Sequence, residues 1–436
     1  MRRQLKLPTP PGALPLLASD AVPVLRHRAF RLLFLGQAAS TVGDQIVLVA
    51  LPLYVTRLTA SPTAVGIVVA AQVVPFVALL LFGGVWADRL PRHRLMLATD
   101  IARALLHTLL AALIFAGSVR IWQLVVIEAL FGAAQAFFQP AYSGLLPQTV
   151  PEELIQSARA LTETVANLSR LIGPLLATLL VLGLGGGVAF ALDAATFVLS
   201  ALLLMQVNPR ERAPATASVS QPASASGGTL ALLRGGWHEV RSRTWVWVTI
   251  LAFTGVVMCQ SAPWQTLGPL ASRREYGSIG VYGILVALMG AGSLLGSAVA
   301  LRWRPRYPLR VGILLTLGSP LPNGLVALGA PIALLVPASL LSGFGFALLI
   351  IWWETSLARH IPPHALSRVS AWDWMGALAL LPLGLLAAGP LASVLGPRAV
   401  LAGGCVGALI FLGAALIPRQ TRDLTYDPRT VRAMSA

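Results

Sequence analysis

GVWADRLPRHRL, residues 84–95, gathers one aspartate, three arginines and a histidine around a proline, and long apolar runs flank it on both sides. A run of about 20 apolar residues matches the ~30 Å hydrocarbon core of a bilayer when helical. Charged side chains enter that core at a cost of about 2.5–3.5 kcal/mol each. The segment therefore reads as a tight turn between two membrane helices, over about 63–86 and 94–117.

Working outward from it, the same alternation of apolar runs and short charged connections recurs along the chain. Twelve spans are expected: 30–56, 63–86, 94–117, 121–142, 158–182, 187–207, 245–270, 278–301, 310–329, 332–355, 367–394 and 397–417. The composition agrees, with 56% hydrophobic and only 11% charged residues among 436, where an ordinary soluble chain carries roughly 25% charged. The mean hydropathy is +0.77.

The net charge of +16 does not point to nucleic acid, because the basic residues sit in the short connections and form no single soluble face. Alternate connections hold 25 of the 32 basic residues, the other connections hold 5, and Arg103 and Arg170 fall inside spans. The positive-inside bias then predicts a multi-pass protein of the cell membrane with both termini cytoplasmic. Cys259 and Cys405 lie within apolar runs and read as thiols, not as a disulfide framework. Lys6 is the only lysine and follows a leucine, so the chain has no Gly-Lys phosphate loop of its own. No H-E-x-x-H or G-x-S-x-G motif and no metal-ligand spacing is present, so neither metal nor cofactor is expected, and the chain does not read as an enzyme.

APATASVSQPASASGG, residues 213–228, is a low-complexity linker that divides the chain into a tail (1–29), a first bundle (30–207), a linker (208–244), a second bundle (245–417) and a C-terminal tail (418–436). The stretch LLRGGWHEVRS, residues 232–242, reads as either a short interfacial helix or plain linker. The bundles carry matching landmarks. Gly84 and Gly296 are 212 residues apart, the Gly132–Pro151 and Gly343–Pro362 pairs 211, and Gly173–Pro174 and Gly389–Pro390 216. Such a duplication predicts an all-α fold of two pseudo-symmetric six-helix bundles with a substrate site between them.

The motifs resemble those of a known family. Gly84, Asp88, Arg89 and Arg92 match G-x-x-x-D-R-x-x-R/K, the signature of the major facilitator superfamily between helices two and three. SRLIGPLLA is similar to the helix-five antiporter motif through Gly173 and Pro174, with Ser169 in place of a glycine. STVGDQ, GLLPQTVPEELIQSARAL and AFALDAATFVLSAL resemble the branch of drug, macrolide and siderophore exporters. The resemblance implies a proton-driven secondary transporter for a small-molecule substrate, with the proton gradient as energy source, and a gating contact between Asp88 and helix eleven. The chain departs from the family at helix four, where Glu128 stands in place of the arginine of R-x-x-x-G.

Ionisable residues within the spans are functional candidates. Asp44 is either a proton acceptor or a structural acid paired with an arginine, and the groups that can act with it are Glu128, Asp193, Arg103 and Arg170. Glu354 and Asp373, near Arg359 and Arg368, stand at the cytoplasmic ends of spans ten and eleven, as ordinary interfacial ion pairs or as a closing cluster. Gln37, Gln260 and Trp264 are the candidates for a substrate cavity, with Trp264 alternatively an interfacial belt residue. The expected unit is a monomer in a lipid bilayer. An importer of a nutrient or lipid-like molecule would share this fold, and a non-transporting sensor is a further alternative.

Overall fold

The computed structural model describes residues 23–207 and 236–426. These form twelve helices long and apolar enough to cross a membrane. We number them α1 (Arg28–Thr59), α2 (Pro62–Arg89), α3 (Arg92–Phe115), α4 (Ile121–Gln148), α5 (Glu152–Leu184), α6 (Gly186–Leu204), α7 (Thr244–Tyr276), α8 (Gly280–Arg302), α9 (Pro308–Ala327), α10 (Ile332–His360), α11 (Arg368–Leu395) and α12 (Pro397–Ala415). The protein is a multi-pass membrane protein. Most of the two tails and of the linker lie outside the described residues. Within 232–242, residues 236–241 are helical, and Trp237 packs on Trp372 with ring centroids 5.0 Å apart.

Helices α1–α6 pack mainly among themselves, as do α7–α12. Close approach decides both bundles. A Cβ on Gly132 would collide with the backbone of Gln72, fixing α4 against α2, and one on Gly343 would collide with Met289, fixing α10 against α8. Small residues serve this purpose where lipid supplies no hydrophobic drive for helix association. The duplication also shows in the turns. Among the described residues, the six with φ in the left-handed range pair as Ala60 with Gly277, Gly117 with Gly329 and Gly185 with Gly396. Each pair closes the same connection in its own bundle, opposite the linker.

Several helices depart from the uninterrupted spans expected: α11 breaks at Leu380, ahead of Pro382, α5 ends in a π turn over Leu180–Leu184, and α7 and α9 are interrupted in their middles. In α9 the helix stops at Thr316 and resumes at Leu321, because Pro320 and Pro322 lack the N–H groups that would carry it through. In α7, residues Val257–Ser261 form a π-bulge, which inserts one residue into the helix. That residue raises the offset between bundles from 216 at the helix starts (Arg28, Thr244) to 217 at their ends (Ala60, Gly277).

The bundles meet along two seams, α2 with α11 and α5 with α8. At the ends away from the linker both seams are tight. Gly66 lies against the carbonyl of Leu385, and Gly283 against Pro174 and the Thr178 hydroxyl. Thr63 and Ser393 hydroxyls meet at 3.4 Å across the first seam. Toward the linker the seams part, leaving a central cavity of about 850 Å³.

Candidate functional site

Two features hold the polar chemistry, and they are separate. The first is the central cavity. Its walls come from both bundles: Tyr142 on α4, Arg159, Glu163 and Arg170 on α5, Phe253 and Val257 on α7, and Ser293 and Ser297 on α8. Phe346, Trp353 and Glu354 of α10 and Asp373 and Trp374 of α11 complete them. Trp353 donates its indole N–H to Asp373 Oδ2 at 2.9 Å. Arg170 donates to Asn167 Oδ1 at 2.8 Å and faces the cavity. Aromatic walls interrupted by a few charged groups suit a bulky amphiphilic molecule.

The second feature lies inside the first bundle. Helix α3 carries Ile101, Leu105 and Leu109 on its exposed face, where lipid solvates them, and Asp100, Arg103 and His107 on its buried face. The spacings of three and four residues put that trio on one stripe. Arg103 pairs with Asp100, and its guanidinium is sandwiched between Phe138 and Phe197 with 4.1 and 4.2 Å to the ring centroids. Ser200 of α6 donates to Asp100 Oδ2 at 2.7 Å, and Gln37 of α1 donates to Ser200 at 3.1 Å. One turn further along α3, His107 Nδ1 lies 2.5 Å from Asp193 Oδ2 on α6, and Nε2 lies 3.7 Å from Glu128 Oε1 on α4. The imidazole stacks flat on Phe131, 4.1 Å between centroids and 2° between planes.

Asp44 reaches this group from α1, within electrostatic range of Arg103, Asp193, His107 and Asp100. It also lines a second pocket of about 200 Å³ with Gln45, Gln72 and Gln135, walled by Phe131. Gly43, its neighbour, leaves the space that the Asp193 carboxylate occupies. Four carboxyl groups therefore share one guanidinium and one imidazole; Asp100, Glu128 and Asp193 are fully buried, while Asp44 borders the small pocket.

The structure brings Asp44, Glu128, Asp193 and Arg103 together and leaves Arg170 apart, in the cavity wall. His107 escaped the sequence reading. Its signal was a lone histidine in an apolar run, seven residues after Asp100 and four after Arg103.

The expected cavity residues lie elsewhere. Gln37 is spent on Ser200 within the first bundle. Gln260, in the bulge of α7, donates to the Ser319 carbonyl at 2.8 Å and accepts from the Ser319 hydroxyl at 3.0 Å. Its own carbonyl accepts from Asn323 at 3.0 Å. It thus repairs the break in α9 and does not face the cavity. Trp264 packs on Tyr282, 5.4 Å between centroids, and is buried, which also removes it from an interfacial belt. From α7 it is Phe253 and Val257 that reach the cavity.

In the motif after α2, Arg92 donates to the Gly144 carbonyl at 2.8 Å, tying α3 to the end of α4. Arg89 is exposed, and nothing lies within 4 Å of a Cβ built on Gly84. The close approach belongs to its neighbour Gly83, against Ala136. The Asp88 side chain lies outside what the structure describes. In the helix-five motif, Gly173 meets the backbone of Gln45, Pro174 borders the second seam, and Ser169 bonds back to the Val165 carbonyl at 2.8 Å.

Comparison with known proteins places this architecture. The chain is 28% identical over 398 residues to the multidrug efflux pump Tap of Mycolicibacterium fortuitum, covering 88% of this chain and 95% of that one. It is 28% identical to the MFS-type transporter YfiS of Bacillus subtilis, covering 90% and 93%. A shorter match, 27% over 255 residues, joins it to the tetracenomycin C resistance and export protein of Streptomyces glaucescens, with 48% and 47% covered. Among solved structures it resembles the nucleoside transporter NupG (TM-score 0.67, 12% identity, 89% and 98% covered) and a bacterial homologue of ferroportin in an inward-facing state (0.67, 14%, 89% and 98%). Both likenesses are of fold. The family model described as Major Facilitator Superfamily matches residues 33–377, and with that match over most of its length the chain belongs to the major facilitator superfamily of transporters.

Proposed function

We propose that this transporter exports small amphiphilic molecules across the cell membrane in exchange for protons. The observation that carries the proposal is the separation of the buried charge cluster of the first bundle from the central cavity. With every acid ionised and His107 protonated, Asp44, Asp100, Glu128 and Asp193 exceed Arg103 and His107 by two negative charges. An excess of that kind is very costly away from water, and proton uptake is the simplest way to remove it. Gain and loss of protons at Asp44, which has its own pocket, would then bias the packing of the first bundle while the substrate binds elsewhere.

Export is supported by the relatives whose names describe efflux, macrolides and tetracenomycin among their substrates. The linker side is read as cytoplasmic from the distribution of basic residues, so the cavity opens inward and the tight seams close the outer face. Asp88 and Arg89 would act in this scheme as a gate at the cytoplasmic ends of α2 and α11. Rocking of the bundles about the cavity would carry substrate outward.

The test is uptake of a panel of macrolides and aromatic polyketides into inverted vesicles under an imposed pH gradient. Asp44→Asn is expected to lower gradient-driven uptake at least tenfold while expression and the detergent melting temperature stay near those of the parent. Gradient-driven uptake at the parental rate in that variant removes Asp44 from the mechanism. A parent protein that ignores the gradient sinks the proton-coupled reading as a whole.

A further inference from the structure

His107 is fully buried, and its two ring nitrogens are in unequal circumstances. Nδ1 is committed to Asp193 at 2.5 Å. Nε2 has no hydrogen-bond partner, and neither has either oxygen of Glu128, although the two groups face each other at 3.7 Å. Phe131 stacked on the ring and the edge contact of Phe190 at 5.6 Å leave the imidazole no room to turn toward another partner. Nor can Arg103 compensate Glu128, because it is paired with Asp100.

We infer that His107 and Glu128 hold one proton between them, and that its presence sets how α3 packs on α4. This rests on the proton-coupled reading above and names the pair through which coupling reaches the helices. The argument is one of donors and acceptors. With Nδ1–H given to Asp193, a proton on Nε2 makes an imidazolium that donates to the Glu128 carboxylate. The same proton on Glu128 makes a carboxylic acid that donates to the Nε2 lone pair. Either way the gap closes from 3.7 Å toward the roughly 2.8 Å of a hydrogen bond, charge-assisted when the proton is on Nε2. Without the proton a lone pair faces a carboxylate, two acceptors in a dry site, and the helices gain by separating.

The groups that face the pair are Asp44 from α1, Asp100 and Arg103 from α3 itself, and Asp193 from α6. Of these, Asp44 lines a pocket large enough for water, about 200 Å³. The proton leaves Nε2 or the Glu128 carboxyl for water of that pocket, beside the Asp44 carboxylate. One N–H or O–H bond breaks and one O–H bond forms.

The test reads conformation, not transport, and needs no substrate. Spin labels at Gln206 and Arg304, exposed positions on the linker face of different bundles, report the distance across the cavity mouth in lipid nanodiscs, with Cys259 and Cys405 replaced by alanine. The parent is expected to shift its distance distribution between about pH 5 and pH 8, the range in which imidazole titrates. Glu128→Gln places a permanent N–H donor before Nε2, so it should hold the low-pH distribution at both values. His107→Gln should respond less than about a tenth as much as the parent. If His107→Gln fails to fold, Glu128→Gln carries the test alone. A Glu128→Gln protein that shifts like the parent overturns the inference, and so does a parent whose distances ignore pH. That last result leaves gradient-driven transport to the vesicle assay, so the two failures are distinct.

Discussion

The two bundles repeat one backbone and hold opposite chemistry at the same positions. With the offsets of 216 in the first helix, 212 across the third and its turns and 211 in the fourth, Asp44 corresponds to Gln260, His107 to Ser319 and Glu128 to Ser339. The charged cluster of α1, α3 and α4 thus has a neutral counterpart in α7, α9 and α10. Gln260 and Ser319 exchange two hydrogen bonds there, and Ser342 adds a third to the Ser319 carbonyl at 3.0 Å. The sixth helices differ in the same sense. Asp193 fits beside Gly43, whereas its equivalent is Gly404, which leaves room for the backbone of Cys259. Every polar atom of the Gln260 amide is satisfied by neutral partners, so the second cluster can hold one geometry without gaining or losing a proton. The first cannot be satisfied in every protonation state. On the proton-coupled reading proposed above, the moving charge belongs to the first bundle and the second serves as a fixed scaffold.

The comparison is broken most severely by removing the one permanent cation of the first cluster. Arg103→Met leaves Asp100 buried without its counter-charge, and the equivalent residue of the second bundle is Leu315, which needs none. Breaking a buried pair in this way costs about 3–5 kcal/mol. We expect a large drop in the melting temperature in detergent, partly recovered in the Asp100→Asn, Arg103→Met double variant. A single variant as stable as the parent would mean that Asp100 is neutral in the folded protein.

A smaller effect is expected in the second bundle. Gln260→Leu removes the amide that bonds to Ser319 and leaves the Ser319 carbonyl with Ser342 alone, at a cost of about 1–3 kcal/mol. The effect should be equal at low and high pH, because no ionisable group takes part. Loss of substrate binding with unchanged stability would return Gln260 to the cavity wall.

How much of this was legible in the sequence follows from the range of each signal. The twelve spans rest on local composition, and the duplication on repeated glycine and proline landmarks, of which Gly132 and Gly343 make close helix contacts, so both could be read. Asp44, Glu128, Asp193 and Arg103 stood out because ionisable residues in apolar runs are rare. Their assembly into one site was not legible, since it depends on which faces of α1, α3, α4 and α6 meet. His107 sits on the same stripe of α3 as Arg103 and was hidden only by being neutral in a charge count. Gln260 and Trp264 misled for the complementary reason. A polar or aromatic residue in a span satisfies either a cavity or a broken neighbour, and the break in α9 becomes visible only once Pro320 and Pro322 are seen beside the α7 bulge.

The finest distinction between the bundles lies at Glu128 and Ser339. Both are fully buried, and both have side-chain oxygens without a hydrogen-bond partner. An unpaired hydroxyl contributes nothing that alanine would lose, and its removal relieves a desolvation cost. Ser339→Ala should therefore change stability by less than about 0.5 kcal/mol, or raise it, with transport unaltered. The matching change Glu128→Ala removes the group that faces His107, so it should abolish the pH response and also lower stability, since it leaves a cavity and an unpaired Nε2. If Ser339→Ala instead impaired gradient-driven transport as Glu128→Ala does, the second bundle would carry part of the coupling, and the division of labour drawn from the two clusters would fail.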